Sequence, residues 1–112
     1  MVLDAAGRLW RRDPAAEVLL LGDSFTNVYS DPALGWGRGA GLAEQLAYEL
    51  ARPVDKLALN AGGAHATREA LARALASGRT SLAGKRVVIY QFAARELSTG
   101  DWRAVDLGEW GE

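Results

Sequence analysis

The sequence lacks several features that mark particular classes of protein. It has no cysteine, which excludes disulfide frameworks and thiolate-bound metal sites. Its single histidine, His65, excludes a metal site built from several histidines of this chain. The net charge is −1, without the basic excess expected of a nucleic-acid binder, and no apolar run approaches the ~20 residues of a membrane span. We therefore expect no nucleic-acid partner, no metal and no other cofactor.

The composition that is present is typical of one small globular domain. Of the 112 residues, 49% are hydrophobic and 24% are charged. The first twelve residues have no apolar core of the kind found in secretory signal peptides, so no signal peptide is predicted in this chain. Their alternation predicts a short hairpin or edge strand, with a turn at Asp4-Ala5-Ala6-Gly7. We predict a single domain over residues 1–112, with its core in about 17–107.

Three apolar segments predict strands, at residues 17–21, 56–60 and 86–92. Two segments between them predict helices, at 41–52 and 67–78. The first helix is expected to bury one apolar stripe and to end at Arg52-Pro53, and the second to begin near Thr67, a possible N-cap, and to end at Gly78. The stripe of the first helix consists of Leu42, Leu46 and Leu50 with Ala43 and Ala47 beside them, and the second helix has Leu71 and Leu75 on one face. Strands that alternate with helices predict a parallel sheet. With only three strands it has two open edges, so we expect marginal stability or pairing with another chain.

Polar residues follow each predicted strand at its carboxyl end. The three segments are Gly22-Asp23-Ser24-Phe25, Asn60-Ala61-Gly62-Gly63 and Ala93-Ala94-Arg95-Glu96. In an open parallel sheet, ligands bind outside these ends. The sequence therefore predicts a site where the three segments meet.

Ser24 is the candidate nucleophile of this site. A serine on the turn that leaves a strand can expose its hydroxyl, while nearby backbone N–H groups stabilise an oxyanion. Gly22 permits a tight turn, and Gly62 or Gly63 lets a second backbone segment approach closely. The alternative is that Ser24 only caps the following segment. The G-x-S-x-G pattern of α/β-hydrolases is not present, because Thr26 stands two residues after Ser24.

Other polar residues carry alternatives that the sequence leaves open. His65 is either the base for Ser24 or a residue without a catalytic role. Arg95 and Glu96 pair with each other or with Arg68 and Glu69, unless Arg95 or Arg68 binds an anion. The glycine run at 35–40 fits a degenerate dinucleotide fingerprint, but this interpretation requires it to follow a strand directly.

The motifs GDSF at 22–25 and NAGG at 60–63 resemble those of the SGNH (GDSL-like) hydrolase superfamily. A narrower resemblance is to the SGNH-hydrolase-like domain of the alginate O-acetyltransferase AlgX/AlgJ family. It covers about residues 17–107 and rests on the order of several short segments: LGDSFTNVYS at 21–30, GWG at 35–37, AEQLAYEL at 43–50, RPVD at 52–55, ATRE at 66–69, QFAARELS at 91–98 and GDW at 100–102.

This resemblance implies a three-layer α/β/α SGNH-like sandwich with a short parallel sheet. It implies a serine-dependent O-acetyltransferase or acetylesterase that acts on hydroxyl groups of an envelope polysaccharide or exopolysaccharide of the alginate type. Ser24 would be acylated by an acetyl donor, and the N–H of Ser24 with one from Gly62 or Gly63 would form the oxyanion hole. Asp23, Asn60 and Arg95 are the expected supporting residues. The implied location is the periplasm or cell envelope, and the implied partners are the polysaccharide, the acetyl donor and other proteins of an envelope acetylation complex.

One family feature is missing. The family's Asp-x-His pair lies before the serine strand, whereas the 23 residues before Ser24 contain no histidine, and Gly63 stands two before His65. We therefore expect an incomplete domain, a fragment without its base and inactive alone, whose missing N-terminal part belongs to the same protein. The alternative function is not enzymatic: the protein is a carbohydrate-binding or assembly module, in which Trp36, Trp102 or Trp110 stacks on sugar rings.

Overall fold

The computed structural model describes residues 1–4 and 6–108. Ala5 of the predicted turn and Trp110 therefore lie outside the described residues. The described residues form three strands, four α-helices and one 3₁₀ helix. In order these are β1 (Val18–Gly22), α1 (Ser24–Asn27), the 3₁₀ helix (Pro32–Leu34), α2 (Leu42–Leu50), β2 (Asp55–Ala58), α3 (Gly63–Ser77), β3 (Val87–Tyr90) and α4 (Glu96–Thr99).

The predicted parallel sheet is confirmed, and the protein is a small α/β domain built on it. The strand order is β2-β1-β3, and β1 pairs in parallel with both neighbours. Leu20 of β1 lies opposite Lys56 of β2 on one side and Ile89 of β3 on the other. All five residues of β1 are buried, as its continuous apolar run predicts for a central strand.

Alternate residues of β1 enter two separate apolar clusters, because successive side chains of a strand point to opposite faces. Val18 and Leu20 pack with Ala43, Ala47 and Val54. The side chains of the other cluster are those of Leu19 and Leu21 with Leu71 of α3, flanked by Leu57, Leu75, Leu82, Tyr90 and Leu107. The sheet thus has an apolar cluster on each face, and the predicted burial of Leu71 is confirmed.

The predicted apolar stripe of α2 is confirmed at its centre and wrong at its ends. Ala43 and Ala47 are buried in the cluster of Val18 and Leu20, and Leu46 packs against that cluster. Leu42 and Leu50, in contrast, are 42% and 44% exposed, and Glu44 is buried. The helix ends before the predicted boundary, because Ala51 adopts a left-handed conformation with φ of 50°.

Helix α3 begins four residues before its predicted N-cap. It starts at Gly63, so Thr67 lies inside the helix, where its side chain is buried. The Thr67 hydroxyl donates instead to the carbonyl of Gly22 at 3.2 Å. The predicted end is confirmed, since Gly78 terminates the helix with φ of 75°.

The N-terminal segment is held to the domain by an ion pair whose carboxylate is buried. The predicted short hairpin is confirmed as an antiparallel bridge between Leu3 and Leu9, with backbone N–H groups of Asp4 and Trp10 donating to the carbonyls of Arg8 and Val2. Farther along, Arg12 Nε lies 2.6 Å from the carboxylate of Asp55, which is fully buried and also accepts from Thr80 at 2.6 Å. Within the described residues, no helix has both the length and the apolar character needed to cross a membrane.

Candidate functional site

Ser24 is the first residue of α1, at the carboxyl end of the central strand. Asp23 caps this helix, because its carboxylate accepts the backbone N–H of Phe25 at 2.9 Å. The side chain of Ser24 is half-buried. The N–H of a first helical residue has no partner within its helix, and no acceptor for the Ser24 N–H occurs in residues 1–4 and 6–108. The turn thus presents a hydroxyl and an available donor at one residue.

Gln91, at the end of β3, holds this turn in place. Its side-chain oxygen accepts the N–H of Asp23 at 3.1 Å and the hydroxyl of Thr26 at 2.6 Å. A side chain at Gly22 would collide with Thr26, so the close approach requires glycine there. The sequence analysis missed Gln91 as a site residue. Its signal is a polar amide that directly follows the apolar residues of β3.

The loop between β2 and α3 lies at the same edge of the sheet. The N–H of Leu59 donates to the carbonyl of Gly22 at 3.1 Å, and that carbonyl also accepts from Thr67. Gly62 and Gly63 have φ of 92° and 70°, a conformation that favours glycine. The structure therefore brings this glycine pair to the strand end from which Ser24 follows.

Glu96 lies against Gly63 and is not in the predicted ion pair with Arg95 or Arg68. Its carboxylate accepts the N–H of Ala64 at 3.3 Å, and a side chain at Gly63 would overlap it. The carboxylate thus caps the N-terminus of α3, where it is favoured by the exposed N–H groups and the helix dipole. An oxyanion bound at Gly63 would face this negative charge.

Asn60 positions the loop through both ends of its side-chain amide. Its oxygen accepts from Asn27 at 2.9 Å, and its nitrogen donates to Asp31 at 3.2 Å. Asn27 is buried and also receives a hydrogen bond from Lys56, whose ammonium group lies 3.7 Å from the buried carboxylate of Glu44. This polar network joins the start of α2, the end of α1 and the β2 edge.

His65 stands in the first turn of α3 with both ring nitrogens engaged. Its Nε2 lies 3.1 Å from the carboxylate of Glu69, and its Nδ1 faces Arg68 at 3.4 Å. Since Arg68 can only donate, Nδ1 accepts, and the proton of the neutral ring lies on Nε2 toward Glu69. This arrangement favours the interpretation in which His65 has no catalytic role.

Arg68 connects α3 to the segment after α4, and its guanidinium group is already engaged by protein groups, which disfavours the predicted role in binding an anion. Its guanidinium lies 4.7 Å from the ring centroid of Trp102 and donates to the carbonyl of Asp101 at 2.7 Å and to the hydroxyl of Tyr90 at 3.3 Å. Arg95, in contrast, is exposed and makes no ion pair with the described residues. Of the two arginines predicted to bind an anion, Arg95 is therefore the one whose guanidinium group is available at this edge.

The glycine run at 35–40 follows the 3₁₀ helix and forms an irregular loop, so the dinucleotide interpretation loses its required strand. Trp36 in this loop is 71% exposed. An open groove of about 890 Å³ lies between residues 2–13 and the end of α2, away from the predicted site residues. In the described part of the chain, no three His, Asp or Glu side chains gather as metal ligands would.

Comparison of this chain with protein-family models, with curated proteins and with solved structures finds no match. The features of this chain that bear on function are therefore the geometry of its strand ends and the sequence motifs that occupy them.

Proposed function

We propose that Ser24 is the nucleophile of an SGNH-like O-acetyltransferase or acetylesterase that acts on polysaccharide hydroxyl groups. The observation that carries the proposal is the position of Ser24. It follows the central strand and the capping residue Asp23, at the sheet edge where Gly62 and Gly63 also lie, and its N–H has no acceptor among the described residues. The proposal includes an α/β/α sandwich, for which the apolar clusters on both sheet faces provide support.

In the proposed reaction, the Ser24 hydroxyl oxygen forms a bond to the acetyl carbon of the donor while its proton passes to a base. The N–H groups of Ser24 and of Gly62 or Gly63 stabilise the oxyanion. The donor's leaving group departs with that proton, and an acetyl-serine remains. A sugar hydroxyl, or water in an esterase, then attacks the acetyl carbon, loses its proton to the base and releases Ser24.

The base in this proposal comes from polypeptide outside these 112 residues, as an Asp-x-His pair. His65 does not supply it, because its ring nitrogens face Arg68 and Glu69. Asp23 and Asn60 act by positioning, through their hydrogen bonds to Phe25, Asn27 and Asp31, and Arg95 is the cation available to an anionic group of donor or acceptor. An envelope location and partners in an acetylation complex belong to the same proposal.

The test is labelling with a serine-directed fluorophosphonate, followed by mass spectrometry of the modified peptide. We expect slow labelling of this chain and faster labelling of a version extended upstream through an Asp-x-His pair, in both cases on Ser24. Ser24→Ala should abolish labelling, while Ser98→Ala, a matched exposed serine on α4, should leave it intact. Labelling that survives Ser24→Ala in both versions, or its absence from both, would show that the nucleophile assignment is wrong.

A second candidate is a non-catalytic carbohydrate-binding module. The observation in its favour is the 71% exposure of Trp36, together with the Glu96 charge beside Gly63. In that case polysaccharide binding should be lost in Trp36→Ala and retained in Ser24→Ala. A pull-down with immobilised alginate, in its acetylated and deacetylated forms, distinguishes this candidate from the enzyme.

A further inference from the structure

Strand β2 leaves part of one sheet edge open. The N–H of Leu59 faces β1, where it donates to Gly22, so the backbone groups of Lys56 and Ala58 point away from β1. The carbonyl of Ala58 accepts a long hydrogen bond from Asn27, at 3.4 Å. Just before the start of β2 the edge is covered, because the N–H of Asp13 donates to the carbonyl of Val54. The N–H groups of Lys56 and Ala58 and the carbonyl of Lys56 have no partner among residues 1–4 and 6–108.

A groove of about 540 Å³ runs along this open edge, between β2 and α3. Its apolar wall is formed by side chains from both elements and the residue that follows β2; these are Leu57, Ala58, Leu59, Ala70 and Ala74. Arg73 and Arg79 add positive charge, and neither makes an ion pair with the described residues. None of the described residues that line the groove is a carboxylate. The charge of Lys56 is directed elsewhere, toward Glu44 at 3.7 Å.

We propose that this groove binds an extended acidic peptide segment of a partner protein, which adds a fourth strand to the sheet beside β2. The free backbone groups of Lys56 and Ala58 would pair with the peptide backbone. Side chains on the α3 side of the added strand would enter the groove, where carboxylates would reach Arg73 and Arg79 and their aliphatic parts would contact Leu57 and Ala74. The proposal does not depend on acyl chemistry at Ser24.

A second groove that arginines line shows why the acidic segment fits beside β2. This groove lies at the amino ends of β1 and β3, and its two arginines, Arg52 and Arg86, share the carboxylate of Glu17 at 4.0 and 3.9 Å. That carboxylate lines the groove and would repel an acidic segment. The β2 groove therefore suits an acidic segment better, because Arg73 and Arg79 have no carboxylate partner among the described residues.

The probe is a fluorescein-labelled six-residue peptide that alternates glutamate and valine, with blocked ends. Its binding to the 112-residue chain is measured by fluorescence anisotropy, beside a lysine–valine peptide and two glutamate–valine peptides N-methylated at alternate amides. We expect binding of the glutamate peptide and none of the lysine peptide. One of the two methylated sets should abolish binding and the other should not, because only alternate amides of an added strand face β2.

Charge reversal tests the cations. Arg73→Glu/Arg79→Glu should weaken binding of the glutamate peptide by about tenfold or more, as the loss of two exposed ion pairs implies. It should also create binding of the lysine peptide. The matched control is Arg11→Glu/Arg38→Glu, which reverses two exposed arginines elsewhere and should leave the affinity unchanged. Circular dichroism verifies that both double variants remain folded.

Hydrogen exchange locates the bound strand. The amides of Lys56 and Ala58 should exchange more slowly with the peptide bound, while those of Val88 and Tyr90, on the open side of β3, should not change. The proposal is overturned if the glutamate peptide fails to bind at millimolar concentration or if both methylated peptides bind as well as the parent. It is equally overturned if protection appears at β3. It is also overturned if a single-stranded polynucleotide displaces the peptide, binds more weakly to Arg73→Glu/Arg79→Glu, and N-methylation of the peptide has no effect on peptide binding.

Discussion

The hydroxyl group of Thr67 donates a hydrogen bond to the carbonyl oxygen of Gly22 at 3.2 Å. This contact joins the second turn of α3 to the end of β1, two residues before Ser24. It is buried, and the carbonyl also accepts the N–H of Leu59. The first two turns of α3 are therefore tied to the strand that leads into the serine turn by a contact between helix and strand, in addition to the sheet itself.

Replacing Thr67 tests the energetic weight of this contact. Thr67→Val keeps the shape of the side chain but removes the donor, and we expect the free energy of unfolding in urea to fall by about 1 kcal/mol. The loss stays small because Leu59 still satisfies the Gly22 carbonyl. Thr67→Ser retains the donor and should recover the part of the loss that comes from the hydrogen bond. A valine variant as stable as the parent protein, beside a destabilised serine variant, would mean that the methyl group, and not the hydrogen bond, stabilises this position.

Glu96 controls the electrostatics at Gly63, and its neutralisation tests the proposed oxyanion hole. In the version extended upstream, Glu96→Gln should raise the rate of phosphonate labelling of Ser24 by about tenfold, which corresponds to ~1.4 kcal/mol of removed repulsion. Glu69→Gln is the matched control, since that carboxylate faces His65. A slower reaction in Glu96→Gln would indicate that the carboxylate helps to organise the loop and does not oppose the reaction.

The ion pair between Arg12 and Asp55 should show an asymmetric response to mutation. Asp55 is fully buried, whereas the Arg12 side chain is 34% exposed. Arg12→Ala leaves a buried carboxylate with only Thr80 as partner, so we expect a loss of ~3 kcal/mol in the free energy of unfolding. Asp55→Asn leaves an arginine that can turn to solvent, so its loss should be smaller. If thermal and urea unfolding give the same loss for both variants, burial of the carboxylate does not govern the effect.

Asp101 offers a test of local electrostatics by titration. Side-chain and backbone hydrogen bonds from Arg103 hold the pKa of this carboxyl well below its ordinary value. Donors stabilise the charged form, so Arg103→Ala should raise the Asp101 pKa toward about 3.9, observed by NMR of the side-chain carboxyl carbon. The control is Asp4, whose pKa is lowered mainly by its backbone hydrogen bond from Arg8. Its titration should be the same in Arg103→Ala and in the parent protein.

The sequence predicted the elements of the fold better than their contacts. The three strands and the end of α3 at Gly78 were confirmed, because apolar runs and a terminal glycine act locally. The start of α3 was wrong, since the helix begins at Gly63, where the distant Glu96 provides the cap. The buried face of α2 was predicted correctly at Ala43, Leu46 and Ala47 but not at Leu42 and Leu50, because hydrophobicity alone does not show how much of the helix the sheet covers.

At the strand ends, order along the chain was sufficient to expect Ser24, the glycine pair and Arg95 at one edge, since parallel strands place their carboxyl ends together. The function of that edge stays a proposal. The partners of each side chain depended on tertiary structure: Ala64 and Glu96 meet across 32 positions of the chain, and Asp23 and Gln91 across 68. Such pairs follow from strand order and helix packing, which no local pattern of residues encodes.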